Sequence, residues 1–244
     1  KTAEEILKIS KMPGVEIEGI FTHFALADEE DTAYTEKQFA RFLEINRILK
    51  EKGLDIKIKH CANSAATMMY PKTHLDMVRP GIILYGCYPS DYLERKKIDL
   101  KPVMQFETKI TNIKEIDKGD CVSYGCTFVA EKKTKIATIP VGYADGLSRN
   151  LSNIYSFLVD GQFVPVVGRI CMDQCMIDVT NVNNIHKGDE VVIFGEQNGV
   201  KNSIEKMATA LGTINYEILC DVGKRVPRVY MKDNKVTEID SLIL

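Results

Sequence analysis

The chain has 244 residues, of which 45% are hydrophobic and 27% charged, with a formal net charge of −2. That balance suits an ordinary globular protein with one large or two modest cores, and the intermixed charges leave no basic block for nucleic acid or an anionic membrane. No apolar run approaches the roughly eighteen residues that a membrane span needs, and no signal-peptide pattern opens the chain, so a cytoplasmic protein is expected.

From Lys1 to about Tyr92 short β-rich runs alternate with helical ones. The chain starts inside an apparent helix and not at a methionine, which implies a missing upstream segment. Ile17 to Thr22 reads as a strand. Thr35-Glu36-Lys37-Gln38 reads as a capping box opening a helix, with Phe39, Phe42, Leu43 and Leu49 on its apolar face and Gly53 as its stop. Ile56 to His60 is the next strand, Ala65 to Met69 a short helix, and Met77 to Leu84 a third strand. Strands separated by helices of this size imply parallel pairing with right-handed crossovers.

After a charged linker from about Asp91 to Lys101 the texture becomes β-rich. Gln105 to Ile116, Thr134 to Val141, Phe157 to Val167 and Cys171 to Val179 are strand-like, and Asp160-Gly161 marks a hairpin. Ile116-Asp117-Lys118-Gly119-Asp120-Cys121-Val122 is echoed by Ile185-His186-Lys187-Gly188-Asp189-Glu190-Val191, which implies one turn used twice. Asn202-Ser203-Ile204-Glu205 caps a helix reaching Leu211, and Tyr216 to Cys220 is helical again. The expected fold class is α/β plus β, with domains at 1–95 and 96–244.

Seven cysteines, mostly inside apolar runs, read as core thiols in a reducing compartment. Cys171 and Cys175 would share one face if both lay on a strand, but no second ligand pair accompanies them and no metal is expected.

In a parallel barrel, functional groups sit where strands end, and phosphates favour the loops after the last strands. Asn63-Ser64 and Gly81-Ile82 fall at such points. Taken alone, Asn63-Ser64 is a helix cap, Arg79 a partner in a strand-end ion pair and His23 a structural histidine. The runs THF at 22–24, ANSAAT at 62–67, VRPGIILYG at 78–86, VSYG at 122–125, VGYADG at 141–146, GRICMDQ at 168–174, INYE at 214–217 and RVPRVY at 225–230 occur in the order found in alanine racemases. The chain resembles that family from about Ile17 to Tyr230.

The resemblance implies that residues 1–95 hold the last three strands of a TIM barrel that binds pyridoxal 5′-phosphate (PLP), and that residues 96–244 form a mainly β, barrel-like C-terminal domain. It implies interconversion of L- and D-alanine, which supplies D-alanine for peptidoglycan, by a homodimer in which the β domain of one subunit completes the site of the other. By the same resemblance His23, Asn63, Ser64, Arg79, Gly81, Ile82 and Tyr216 bind the cofactor. Tyr124 is the base on one face of the substrate, with His23 and Arg79 supporting it. Met172, Tyr143 and Tyr216 contact the substrate, and Asp28, Arg149 and Arg169 line or support the entrance. Tyr216 crowds a hydroxymethyl more than a methyl and so favours alanine over serine. A serine or broader-specificity racemase and a non-catalytic dimerisation fragment are the alternatives. The family's cofactor-bonding lysine has no counterpart here, since Lys57 and Lys59 lie in no matching context, so this polypeptide alone is expected to be inactive without a companion N-terminal barrel fragment.

Overall fold

The computed structural model describes residues 1–94 and 98–242. The expected domain boundary at residues 95 and 96 lies outside the described residues. Two compact units are present, Lys1–Val103 and Met104–Leu244.

The first unit contains α1 (Thr2–Ile9), β1 (Gly19–Phe21), α2 (Ala33–Glu51), β2 (Ile58–His60), α3 (Ser64–Met69) and α4 (Asp91–Glu94). Strands β1 and β2 pair in parallel, with Gly19 opposite Ile58 and Phe21 opposite His60, as the α2 crossover demands. Helix α2 opens ahead of the expected capping box. The Asp31 carboxylate accepts the Ala33 N–H at 2.9 Å, so Thr35 falls inside the helix, buried, its hydroxyl without a partner among the described residues. An ionised oxygen is the stronger acceptor for these orphan donors. Gln38 is likewise not a cap. Its amide donates to the Thr22 hydroxyl at 2.9 Å and the His23 carbonyl at 2.6 Å, and its oxygen accepts the Ala25 N–H at 3.2 Å, which fixes the loop after β1. Phe39 and Phe42 pack with Phe24, Cys61, Ala62, Ala65, Ala66 and Leu93 beneath the loops that follow both strands. Leu43, expected on that face, is exposed.

The expected third strand does not form. Residues 77–81 have no regular structure, and Ile82–Tyr85 is a 3-10 turn. The segment does lie along β2, since the Asp76 N–H donates to the Lys59 carbonyl at 3.1 Å and the Arg79 N–H to the Ala62 carbonyl at 2.9 Å. The Asp76 carboxylate takes the Lys59 N–H at 2.8 Å, where a ladder would use a carbonyl, and Pro80 has no N–H to give.

The second unit contains β3 (Phe106–Lys109), β4 (Asn112–Ile116), β5 (Cys121–Val122), β6 (Phe128–Val129), β7 (Thr134–Ile139), β8 (Ser156–Val159), β9 (Gln162–Pro165), β10 (Cys175–Asp178), β11 (Glu190–Gln197), β12 (Val200–Asn202), α5 (Ile204–Leu211), α6 (Asn215–Asp221), β13 (Arg228–Lys232) and β14 (Lys235–Asp240). One antiparallel sheet runs β10-β7-β4, another β12-β11-β8-β9 with β3 beside β11, and β5-β6 and β13-β14 are separate pairs. The Asp160-Gly161 hairpin joins β8 and β9, with both turn residues at positive φ as a primed turn requires. The repeated turn is present twice: the Asp120 carboxylate accepts the Asp117 N–H at 2.9 Å, and the Asp189 carboxylate accepts the His186 N–H at 2.7 Å. Ser203 caps α5 through the Lys206 N–H at 3.2 Å.

The cysteines depart from expectation in two places. Cys121 and Cys126 are joined as a disulfide, their Cα atoms 5.1 Å apart, because the turn through Tyr124 folds the chain back on itself. Cys171 lies in the turn before β10, its N–H bonded to the Gln174 carbonyl, so it and the buried Cys175 do not share a strand face.

Candidate active site

In the first unit, three chain segments converge at the C-terminal ends of β1 and β2. The Arg79 guanidinium is held by four acceptors: His60 Nδ1 at 2.6 Å, the Thr22 carbonyl at 3.1 Å, His23 Nδ1 at 3.3 Å and the Cys61 carbonyl at 3.4 Å. It also lies 5.3 Å from the centroid of the Phe21 ring, which stacks on His60. Guanidinium only donates, so the His60 nitrogen facing it is the unprotonated one. Burial, with the Arg79 charge second, holds His60 below its ordinary pKa, which keeps that nitrogen an acceptor. Burial likewise pushes the Cys61 thiol up to about 11, against the opposing pull of Arg79, and so leaves it a protonated core group.

Beside this cluster Asn63 caps α3, its Oδ1 accepting the Ala66 N–H at 3.0 Å. The helix-cap reading of Asn63 therefore holds for its oxygen, while its amide N–H groups remain donors. The Ser64 hydroxyl, buried, accepts the Gly81 N–H at 2.8 Å, and that leaves its own proton to give. No acceptor among the described residues takes the Ile82 N–H at the start of the 3-10 turn. Ser64, Asn63 and Ile82 thus offer several donors with no negative group among their partners in the described residues, a seat whose chemistry fits a phosphate dianion. The structure brings His23, Arg79, Asn63, Ser64, Gly81 and Ile82 together in this way. Lys59 is committed elsewhere, with its ammonium bonded to the Ile56 carbonyl at 2.5 Å and close to Asp55 and Asp76, at 3.7 and 3.9 Å.

In the second unit Tyr124, Tyr143 and Met172 come together on three stitched loops. Ser123 donates to the Arg169 carbonyl at 2.6 Å. A Cβ on Gly125 would lie 3.4 Å from the Arg169 guanidinium carbon, so that cation borders the Tyr124 turn. The Tyr143 N–H donates to the Cys171 carbonyl and the Ala144 N–H to the Met172 carbonyl, each at 3.0 Å. Gly142 permits this approach, because a Cβ there would sit 2.3 Å from both of those carbonyl oxygens. The Met172 N–H has no acceptor among the described residues. Tyr124 is 71% exposed, and Tyr143 and Met172 are exposed as well. Tyr216 lies on α6, whose last residue packs its carbonyl against Gly146. Arg149 and Arg169 are exposed, and the Asp28 carbonyl accepts the Ser90 hydroxyl at 2.7 Å.

Sequence reasoning missed His60 and Gln38. His60 could have been found, since it ends β2 directly before Cys61-Ala62-Asn63-Ser64 and the strand-end rule covers it. Gln38 acts through contacts with Thr22, His23 and Ala25, distant in sequence.

A parallel strand pair with polar groups at its C-terminal end, in a chain that continues into an antiparallel β unit, makes this a two-part α/β plus β protein. The family described as "Alanine racemase, N-terminal domain" matches residues 1–89, and "Alanine racemase, C-terminal domain" matches residues 103–230. The alanine racemase of Clostridium tetani is 50% identical over all of this chain and 63% of its own length, and that of Methanococcus maripaludis is 51% identical over 94% of this chain and 61% of its own. Among solved structures, the alanine racemase of Clostridium difficile 630 in complex with cycloserine aligns at TM-score 0.93 and 44% identity over 100% of this chain and 64% of that one. The Bacillus anthracis enzyme with bound L-Ala-P aligns at TM-score 0.91 and 40% identity, over 95% and 59%. The chain belongs to the alanine racemase family. It spans less than two thirds of the length of these relatives. No described helix is long and apolar enough to cross a membrane.

Proposed function

We propose that this chain is part of a cytoplasmic, PLP-dependent alanine racemase that interconverts L- and D-alanine and so supplies D-alanine for peptidoglycan. The observation that carries the reading is the Arg79 guanidinium, fixed by His60, His23 and two carbonyls next to a cluster of donors without acceptors among the described residues. Ser64, Asn63 and Ile82 would hold the phosphate of PLP, Gly81 would leave room for it, and Tyr216 is proposed as a further cofactor contact. When bound, PLP supplies an electron-withdrawing ring for the substrate Cα. With PLP bound, Arg79 would be the group set against the ring nitrogen. Because guanidinium can only donate, that nitrogen would stay unprotonated and the ring a weak electron sink, which would favour prompt return of a proton to Cα over side reactions.

Tyr124 takes and gives that proton on one face. A free phenol, with pKa near 10, is a poor base at neutral pH, so the hydroxyl needs cationic or hydrogen-bonding neighbours, and His23 with Arg79 fill that role in the dimer. Met172 offers its unpaired N–H to the substrate carboxylate, Tyr143 borders the substrate, and Arg149, Arg169 and Asp28 flank the way in. The working molecule is a homodimer in which the second unit of one copy completes the first unit of the other.

None of the lysines of this chain has the context of a covalent PLP site, so the 244-residue polypeptide does not racemise alanine by itself. The test is chiral chromatography of L-alanine and L-serine incubated with the complete PLP-loaded protein. D-alanine should form faster than D-serine, and absence of D-alanine sinks the reading. Borohydride reduction of the 244-residue chain with PLP should leave no labelled lysine in its peptide map.

A further inference from the structure

The run RVPRVY has no role in the site described so far, yet its first arginine joins two of that site's loops. Arg225 Nε donates to Asp145 Oδ1 at 2.7 Å, and its Nη2 donates to Asp173 Oδ1 at 2.5 Å. Asp145 ends the 3-10 turn Tyr143–Asp145, and Asp173 directly follows Met172. Asp145 is buried and already committed, its other oxygen accepting the Gly142 N–H at 2.8 Å and its carbonyl accepting the Gly223 N–H at 3.1 Å. One guanidinium therefore ties the segment after α6 to the Tyr143 loop and to the Met172 loop at once.

Two consequences follow from elementary mechanics and charge. The two loops continue from the paired strands β7 and β10 and meet through backbone bonds from Tyr143 and Ala144. The bridge through Arg225 adds a side-chain attachment that reaches both loops from the segment after α6. Asp173 also has a side chain 59% exposed, one residue from the unpaired Met172 N–H, where a bare carboxylate would repel an incoming anion. Arg225 neutralises it. The pairing raises the pKa of Arg225, through Asp173 first and Asp145 second, so the cation persists at any working pH.

We propose that Arg225 is a positioning residue that orients the Met172 N–H and Tyr143 and screens Asp173, so that this part of the protein accepts the carboxylate of a small amino acid. The substrate part rests on the racemase reading above. In the complete protein R225Q raises KM for alanine about tenfold and leaves kcat within about threefold, the signature of lost ground-state binding. R225K, which keeps the charge but not the two-armed geometry, falls between. The double variant R225Q/D173N regains part of the lost KM, because the repelling charge is gone while the loop geometry stays lost, and a merely structural arginine would show no such recovery. A fall in kcat with KM unmoved, or a double variant no better than R225Q, overturns the proposal.

A second arm needs no activity. Hydrogen exchange on the 244-residue chain should show faster exchange at the Tyr143 and Ala144 amides in R225Q, with the β7–β10 ladder unchanged as proof of folding. Unchanged exchange at both amides overturns the proposal. If the wild-type complete protein forms no D-alanine, the racemase reading fails separately and the proposal's substrate part falls with it, while this arm still decides whether Arg225 fixes the loops.

Discussion

His60 and Arg79 make a close polar contact at the ends of β1 and β2, 2.6 Å long, and it works only while the imidazole is neutral. Protonated His60 would aim a second donor at a guanidinium that can only donate. Burial and then the Arg79 charge depress its folded pKa, so the unfolded chain binds the proton better. The sign follows from linkage: the contribution of this pair is complete above the ordinary histidine value near 6.5 and is lost as pH falls through the lower folded value. NMR titration should therefore place His60 below 6.5. Arg79→Met should move it back only part of the way, because the larger cause, burial, remains. A His60 titration at or above 6.5, or one indifferent to the substitution, would show that the contact does not set its charge.

At the scale of elements, what the sequence reveals depends on how local its cause is. The Asp160-Gly161 hairpin, the Ser203 cap of α5 and the doubled Lys-Gly-Asp turn were legible because each is decided by a few neighbouring residues. Residues 77–84 were not, since a strand needs a ladder partner and the composition of that run does not say that Asp76 and Pro80 deny it one. The Thr35 capping box failed for a similar reason, because Asp31 reaches the helix start first. The site divides the same way. Motif residues such as Asn63 and Arg79 in the first unit and Tyr124 in the second could be named as candidates from the sequence, but the contacts of His60 and Arg225 show only through partners that the fold brings near. The doubled turn gives a direct test of locality. Gly119 and Gly188 sit at φ +95° and +94°, and a Cβ added at either would meet nothing within 4 Å, so the cost of alanine is the backbone alone. Gly119→Ala and Gly188→Ala should each destabilise by about 1 kcal/mol, equally and additively, in urea unfolding. Unequal costs would mean that the two turns are alike in sequence only.

For the whole molecule the decisive feature is how little covers the parallel pair in the first unit. Among the described residues β1 pairs only with β2, so its other edge keeps unused N–H and C=O groups. Apolar side chains stand exposed on and around the pair, with Phe21 at 63%, Ile58 at 41%, Leu84 at 65% and Tyr85 at 49%. Phe21 is partly used, stacked on His60 and beneath Arg79, but Ile58 and Leu84 have no polar duty in the site. A patch of this kind is stable in water only when something covers it. The 244-residue chain should therefore sediment as an associated species and bind the dye ANS. The double substitution Ile58→Gln and Leu84→Gln should lower both the mass and the fluorescence, while the β4–β7–β10 amides stay protected from exchange. A monodisperse monomer that leaves the dye dark would mean that the strand pair is shielded by the chain itself, and that neither a companion fragment nor a second copy is needed to keep it in solution.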